Sequence, residues 1–201
     1  MASLRLHHFV ARHVGPLALS VAASECVGLE GVSGSGKTLL LRAIADLDPH
    51  LGEAYCDEAA CSAMPAPAWR RSVALVVAES QWWSQLVGDH FDHGVDAGWL
   101  ARLDLPAAAM TWQVARCSTG ERQRLALLRT LMQAPAVLLL DEPTGNLDQE
   151  NTLRVESLLA DYRLQRQAAL LWVSHDARQI ERVAQRRFTL DNGQLHANGR
   201  R

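Results

Sequence analysis

The chain has 201 residues, of which 48% are hydrophobic and 21% are charged. Domains typically contain about 100–200 residues, so this length favours one domain, and the composition is that of a globular protein rather than a disordered one. Lys and Arg total 20 against 22 Asp and Glu, which gives a formal charge of −2. Because no basic tail or stripe supplies the positive surface that binds a phosphate backbone, we expect no nucleic-acid partner.

Cysteine usage and apolar runs predict a cytoplasmic chain that is neither inserted nor exported. The cysteines form no C-x-x-C pair, which indicates reduced thiols rather than a disulfide framework. Apolar runs such as residues 73–78 and 136–140 are far shorter than the ~20 residues that span a bilayer. The first residues, MASLRLHH, lack the apolar core of a signal peptide.

The predicted elements begin with antiparallel strands, because residues 4–21 alternate loosely between apolar and polar side chains. A short apolar run at residues 26–30 predicts the next strand, and residues 38–45 are good helix formers. Between them residues 31–38, GVSGSGKT, match the pattern G-x-x-x-x-G-K-S/T. Strand, glycine-rich loop and helix in this order allow backbone N–H groups and the helix N-terminus to hold phosphate.

Lys37 is the only lysine among the 20 basic Lys and Arg residues. A compact ammonium, unlike a planar guanidinium, suits a point contact with the β- and γ-phosphates, where Lys37 stabilises charge. The hydroxyl of Thr38 is a candidate Mg²⁺ ligand. The residues expected to contact the nucleotide in this loop are Gly31, Ser33, Gly34, Ser35, Gly36, Lys37, Thr38 and Leu39.

Farther along the chain, a capping box and two apolar strands are predicted. Residues 118–121, STGE, have the S-x-x-E pattern that starts a helix, here through roughly residue 132. Residues 136–140 predict a buried parallel strand that ends in Asp141 and Glu142. Ligands bind at the carboxyl ends of such strands, so we expect Asp141 to hold Mg²⁺ and Glu142 to act as general base toward water. Another strand, residues 168–173, precedes His175.

Two smaller signals complete the chain. His90 and His93 are spaced i, i+3, which indicates a polar helix face rather than a metal site, because no other ligands are near in sequence. Residues 191–193, DNG, predict a hairpin turn near the C-terminus.

In this order, the motifs resemble those of the ATPase subunit of ATP-binding cassette (ABC) transporters over almost the whole chain. Residues 117–124, CSTGERQR, are similar to the family signature, residues 146–148, NLD, to its D-loop, and residues 172–176, WVSHD, to its switch-histidine segment. The resemblance implies an α/β fold: a P-loop NTPase core of mostly parallel sheet with flanking helices and an N-terminal antiparallel β subdomain. It also implies a single domain over residues 1–201, with a short helical subdomain inserted at about residues 82–132.

The resemblance implies ATP and Mg²⁺ as cofactors, and hydrolysis that energises transport by a separate integral membrane permease. The chain is then expected to lie peripherally at the inner face of the cell membrane. Two copies, as a homodimer, are expected to face head to tail, so that Ser118 and Gly120 of one copy contact the γ-phosphate held by the other. Asp148 is implied as a nucleotide contact, and His175 as the residue that senses the γ-phosphate.

The signature and the Q-loop depart from the family pattern. Thr119 replaces the first glycine of the signature, and the register of the preceding strand places Ala78 where the family has its Q-loop glutamine. Alanine neither ligates Mg²⁺ nor orients water, so either Glu79 or Gln81 substitutes for the glutamine, or the chain couples its site to its partner in a different way.

Aromatic usage leaves two further questions open. Residues 9–15 contain no tyrosine for adenine stacking, so His13 is the candidate, with an exposed loop histidine as the alternative. Trp82, Trp83 and Phe91 face either a membrane partner or the protein's own core.

Two other functions compete with transport. A soluble ABC ATPase of DNA repair, translation or cluster assembly is the first, although repair members insert long coiled coils and translation factors carry two cassettes. A nucleotide-sensing regulatory module is the second, suggested by the missing glutamine. The transported substrate and the direction of transport are not encoded in this sequence.

Overall fold

A mostly parallel sheet carries the residues of interest at the carboxyl ends of its strands. The structure is a computed structural model that describes residues 3–77, 79–92 and 94–198. Its strands are β1 Leu4–Ala11, β2 Val14–Val21, β3 Cys26–Glu30, β4 Leu51–Cys56, β5 Ala59–Ala60, β6 Val73–Val76, β7 Val137–Asp141, β8 Ala169–Val173, β9 Arg186–Asp191 and β10 Gln194–Asn198. Its α-helices are α1 Lys37–Ile44, α2 Ala66–Ser72, α3 Ala97–Arg102, α4 Thr119–Met132, α5 Gln149–Arg166 and α6 Ala177–Val183.

The larger sheet has six strands in the order β10-β9-β3-β8-β7-β6. All neighbouring pairs are parallel except β9 and β10, which form the hairpin predicted at residues 191–193. Every residue of β7 and β8 is buried. Strands covered on both faces need apolar side chains at every position, which explains the continuous runs of Leu, Val and Ala.

The smaller sheet is antiparallel, with the order β2-β1-β4-β5. In β2, buried and exposed residues alternate over much of the strand, as expected when one face of a sheet packs on the core. The register of β1 shifts between Leu6 and Phe9, where His8 has a left-handed φ of 46°; this is the geometry of a β-bulge. The predicted P-loop core and antiparallel β subdomain are thereby confirmed.

Two hydrophobic clusters lie on opposite faces of the parallel sheet. Leu139 packs in the cluster that includes α1 and the antiparallel sheet. Its neighbours Leu138 and Leu140 pack in the cluster that includes α4 and α5. Alternate residues of a strand point to opposite faces, so β7 holds both layers together, with each fully buried Leu contributing roughly 1.5–3 kcal/mol.

Helix α4 begins at the predicted capping box. The Ser118 hydroxyl accepts a hydrogen bond from the Glu121 N–H at 3.1 Å, and the Glu121 carboxylate accepts one from the Ser118 N–H at 2.7 Å. Such a cap stabilises a helix by about 1 kcal/mol. The start and the length of this helix follow the sequence prediction closely.

Regular helix is scarce in the described residues between β6 and α4. They form α3 and three short 3-10 turns, Gly88–His90, Ala107–Thr111 and Val114–Arg116. His90 is not on a polar helix face as predicted: it is buried in the first of these turns, and its Nε2 accepts hydrogen bonds from the N–H groups of Trp83 and Ser84, both at 3.0 Å. His93 lies outside the described residues. No helix in the described part of the chain combines the length and the apolar character needed to cross a bilayer.

Candidate active site

One cavity of about 430 Å³ opens at the carboxyl ends of β3, β7 and β8. It forms where the glycine-rich loop after β3 meets the acids that end β7 and the segment after β8. Its lining residues are Gly31, Ser33, Gly34, Gly36, Lys37, Thr38, Leu39, Asp141, Glu142, Val173 and His175. The sheet therefore gathers most of the residues predicted to bind nucleotide into one place.

The loop requires glycine at two positions where the backbone approaches other segments. Gly31 has φ 149°, and a Cβ added there would stand 2.5 Å from the carbonyl oxygen of Leu190. Gly36 has φ 103°, and a Cβ there would stand 2.5 Å from Val14 Cγ2. Both φ values are unfavourable for residues with a side chain. The loop therefore packs closely on β2 and β9 because these two residues have no side chain.

The ammonium of Lys37 folds back over the loop. Its Nζ donates hydrogen bonds to the carbonyl oxygens of Gly31 at 2.7 Å and Val32 at 3.0 Å, and lies 3.5 Å from Ser35 Oγ. These contacts hold a positive charge at the edge of the cavity, where an anionic phosphate would gain a charge-assisted hydrogen bond.

Thr38 and Asp141, the two predicted Mg²⁺ ligands, are in direct contact. Thr38 Oγ1 donates a hydrogen bond of 2.7 Å to Asp141 Oδ2. Asp141 is only 8% exposed, and no ion pair to it is found among the described residues. A buried carboxylate without a cation is costly, and a hydroxyl beside it completes an oxygen donor pair. The residues present therefore fit Mg²⁺.

Glu142 and His175 lie side by side at the open end of the cavity. Glu142 Oε2 is 2.9 Å from His175 Nδ1, and their side chains are 25% and 78% exposed. Glu142 adopts a left-handed φ of 50°, and its N–H donates to the carbonyl of Val173 at 3.1 Å. This backbone turn directs the carboxylate away from β7 and toward the segment that carries His175.

Gln123 is a buried residue of α4 that the sequence reasoning missed. Its Nε2 donates to the carbonyl of Glu142 at 3.0 Å, and its Oε1 accepts from the N–H of Asn146 at 3.3 Å. It therefore joins the signature helix to the segment that follows the acidic pair. The signal that would have indicated it is a polar side chain on the helix face that otherwise carries leucines.

The lining of this cavity does not include the predicted contacts Ser35, Ser118, Gly120 and Asp148. A Cβ on Gly120 would stand 3.2 Å from Leu147 Cδ2, so this glycine packs closely against the D-loop-like segment. Asp148 caps α5 by accepting from the Asn151 N–H at 2.8 Å. Hydrogen bonds from the Asn151 backbone and side chain hold the pKa of Asp148 below its ordinary value.

His13 and the candidate Q-loop substitutes have different surroundings. His13 Nε2 would be 3.4 Å from a Cβ placed on Gly36, so its ring lies against the glycine-rich loop. Ala78 lies outside the described residues. Glu79 and Gln81 are exposed, and neither lines the cavity.

Comparison with known proteins gives three kinds of match. The family model described as ABC transporter matches residues 14–145. An aliphatic sulfonates import ATP-binding protein from Granulibacter bethesdensis is 36% identical over 90% of this chain and 74% of its own length. A thiamine import ATP-binding protein from Chelativorans sp. is 33% identical over 90% of this chain and 78% of its own. A probable iron export ATP-binding protein from Escherichia coli is 31% identical over 80% of this chain and 77% of its own length.

A solved structure agrees in fold. An ATP-bound bacterial Atm1-family ABC exporter matches 97% of this chain with a TM-score of 0.83 and 22% identity, and this chain spans 38% of that exporter chain. The family match extends from β2 through the glycine-rich loop and the signature to the acidic pair. The chain therefore belongs to the ABC transporter family, as an ATP-binding subunit that hydrolyses ATP.

Proposed function

We propose that ATP hydrolysis takes place with Mg²⁺ in the cavity described above, and that the chain works as one of two identical subunits that drive a separate integral membrane permease from the cytoplasmic side. The observation that carries the proposal is the contact between Thr38 and Asp141 beside the glycine-rich loop, with Glu142 and His175 at the cavity mouth. The relatives named above are import and export components, which favours transport over the soluble and regulatory alternatives.

The loop and Lys37 would hold the phosphates of ATP. Backbone N–H groups of the loop and the N-terminus of α1 supply partial positive charge, and Lys37 exchanges its carbonyl partners for the β- and γ-phosphate oxygens. Thr38 and Asp141 would hold Mg²⁺, which neutralises charge on phosphate oxygens when it is bound. Leu39 covers the cavity from the next position of α1. His13, whose ring lies against Gly36, is the proposed adenine-stacking residue.

Glu142 is the proposed general base. It takes a proton from water as the water oxygen bonds to the γ-phosphorus and the bond to the leaving β-phosphate oxygen breaks. His175, hydrogen-bonded to Glu142, is placed to hold that carboxylate and to contact the γ-phosphate. Both groups are exposed enough to meet a ligand that enters from the open side.

The dimer is proposed because the signature residues stand away from the chain's own cavity. Ser118 and Gly120 begin α4 but do not line the site. A helix N-terminus is an anion-binding feature, and in a head-to-tail pair it would complete the cavity of the second copy. Asp148, at the start of α5, would lie in the same contact.

The proposed permease-docking surface is centred on Trp83 and Arg129, because Trp82 and Phe91 are partly buried and pack against the second hydrophobic cluster. The Arg129 guanidinium lies 4.9 Å and 4.7 Å from the ring centres of Trp82 and Trp83, and Trp83 is 71% exposed. Burial lowers the pKa of Arg129, and its Nη1 has no hydrogen-bond partner in the described structure. An apolar permease helix would cover the exposed Trp83 ring and remove its apolar surface from water.

The domain boundaries are part of the proposal. Residues 1–201 would form a single ABC ATPase domain, with residues 82–132 as its helical subdomain. Residues of α3, α4 and the turns between them pack in the same hydrophobic cluster as residues of the parallel sheet, which supports this assignment.

Steady-state phosphate release from the purified chain, measured with ATP in the presence and absence of Mg²⁺, tests the ATPase proposal. We expect turnover that requires Mg²⁺ and that disappears in Lys37→Ala. ATP binding without any phosphate release would favour the regulatory alternative. Capture of the tagged chain from detergent-solubilised membranes tests the transport role, because recovery without an integral membrane protein would favour a soluble ATPase.

A further inference from the structure

A second group of metal-ligating side chains lies outside the nucleotide cavity. Asp46 follows the end of α1, His50 immediately precedes β4, and Cys61 begins the 3-10 turn Cys61–Ala63 after β5. The ligand atoms of these three residues all lie within 4.8 Å of one another. No other group of three or more His, Cys, Asp or Glu side chains in the described part of the chain is spaced to hold a metal ion.

The donor set selects a class of metal. A carboxylate oxygen, an imidazole nitrogen and a thiolate sulfur together suit Zn²⁺ and similar borderline-soft cations, whereas Mg²⁺ and Ca²⁺ take oxygen ligands. In a tetrahedral zinc site, ligand atoms at ~2.0–2.3 Å from the ion lie about 3.3–3.8 Å apart. Ligand atoms that start within 4.8 Å of one another therefore have to approach by about 1 Å when the metal binds, and three protein ligands leave a fourth position for water.

His50, in the same group, has a buried ring nitrogen, Nδ1, that makes no hydrogen bond in the described structure. The ring stacks on Phe9, with ring centres 4.7 Å apart and an interplanar angle of 26°. Buried polar atoms are nearly always satisfied by a partner. An imidazole held in one orientation, with a nitrogen unsatisfied, is therefore suited to a metal.

The groups around Cys61 are mostly acidic. The carboxylates of Asp46 and Glu53 lie near its buried thiol. Glu53 is bound to the hydroxyl and N–H of Ser62, next to Cys61. Negative charge beside the thiol favours a cation, and binding would replace the thiol proton: the S–H bond breaks, a sulfur–metal bond forms, and one proton leaves to solvent.

Arg70 is the competing positive charge. Its Nη2 lies 3.6 Å from Asp46 Oδ2, which is a loose ion pair, and its Nε donates to the main-chain carbonyl of Asp46 at 3.2 Å. The contact to the main chain holds the loop in place without the carboxylate. Asp46 therefore keeps the freedom to turn an oxygen toward a metal.

We propose that Asp46, His50 and Cys61 form a three-ligand site for Zn²⁺ or a similar soft divalent cation, separate from the Mg²⁺ site. The site joins the end of α1, the helix that follows the phosphate loop, to the antiparallel sheet. Metal bound there stabilises this connection, and it does so whether or not ATP is present. The proposal is independent of the function assigned to the nucleotide cavity.

Titration of the metal-free protein with Co²⁺, a coloured substitute for zinc, tests this site directly. We expect one tight equivalent with thiolate-to-cobalt absorption, displaced by Zn²⁺, and loss of that absorption in Cys61→Ser and His50→Gln. Cys56→Ser is the matched control, because Cys56 is also a buried thiol near the end of a strand, with a pKa of about 11, but lies outside the group. Absorption that persists in Cys61→Ser, or that is lost equally in Cys56→Ser, would overturn the proposal.

A measurement on the unchanged protein covers the case in which a variant fails to fold. Alkylation of the four cysteines in mild denaturant, mapped by mass spectrometry, should show that Zn²⁺ slows modification of Cys61 more than that of Cys26, Cys56 or Cys117. Equal protection of all four, or none, would contradict the site. Because these readouts do not involve ATP hydrolysis, their failure would leave the ATPase assignment untouched.

Discussion

The hydroxyl of Thr38 donates a hydrogen bond of 2.7 Å to Asp141 across 103 residues of sequence. It joins the first turn of α1 to the end of β7, although β8 lies between β3 and β7 in the sheet. The contact exists because parallel strands end at one edge, and there the loop after β3 reaches across β8 to the acids of β7.

Removing the Thr38 hydroxyl is predicted to weaken the binding of Mg²⁺ at the site. In Thr38→Val the shape is nearly kept, but Asp141 loses its hydrogen-bond partner, which costs on the order of 1–3 kcal/mol for a buried polar group. We expect the Mg²⁺ concentration for half-maximal phosphate release to rise. Thr38→Ser keeps the hydroxyl and is the control. Equal Mg²⁺ dependence in both variants would remove Thr38 from the metal site.

Replacing the proposed general base is predicted to separate binding from chemistry. Glu142→Gln should lower turnover by roughly 10²–10⁴, the usual contribution of a general base, while ATP affinity measured by calorimetry stays within error. The exposed Glu58→Gln controls for loss of a negative charge. Full turnover in Glu142→Gln would require another base.

The head-to-tail dimer predicts complementation between two inactive variants. Lys37→Ala disables the loop of one copy, and Ser118→Arg blocks the helix start of the other. A mixed dimer has one cavity built only from unchanged parts, so mixing the two proteins should restore phosphate release that neither shows alone. If the mixture stays inactive although mixed dimers form, then Ser118 does not act across the dimer.

Local sequence patterns predict where the helices and strands of the site lie, but they do not predict which side chains of the site are in contact. The capping box at Ser118 and the apolar runs of β3, β7 and β8 are short-range signals, so their positions were predictable. The contact of Glu142 with His175 depends on the pairing of β7 with β8 and on the left-handed backbone at Glu142, neither of which has a sequence signal. His90 was misassigned because its partners are main-chain N–H groups of a loop, which no side-chain pattern reveals.

Gln123 is predicted to stabilise the joint between α4 and the segment after the acidic pair. Gln123→Met fills a similar volume but leaves the Glu142 carbonyl and the Asn146 N–H without this partner. We expect a loss of about 1–3 kcal/mol in the free energy of unfolding. At about 2–4 °C per kcal/mol for a chain of this size, the fall in Tm is readily measured by calorimetry. The exposed Gln149→Met, at the start of α5, should change Tm little.

The charge of Asp148 predicts a pH-dependent part of the stability. The cap on α5 holds the pKa of Asp148 below its ordinary value, so the folded state favours the ionised form. The contribution of Asp148 to stability is present above its pKa in the unfolded chain, about 3.9. It is lost as pH falls through the lower pKa of the folded state. Asparagine caps a helix without titrating, so the Tm difference between the natural chain and Asp148→Asn should be largest near neutral pH and shrink in acid. A difference that stays constant from neutral pH into acid would mean that the cap acts through its hydrogen bonds alone, without a contribution from the ionised carboxylate.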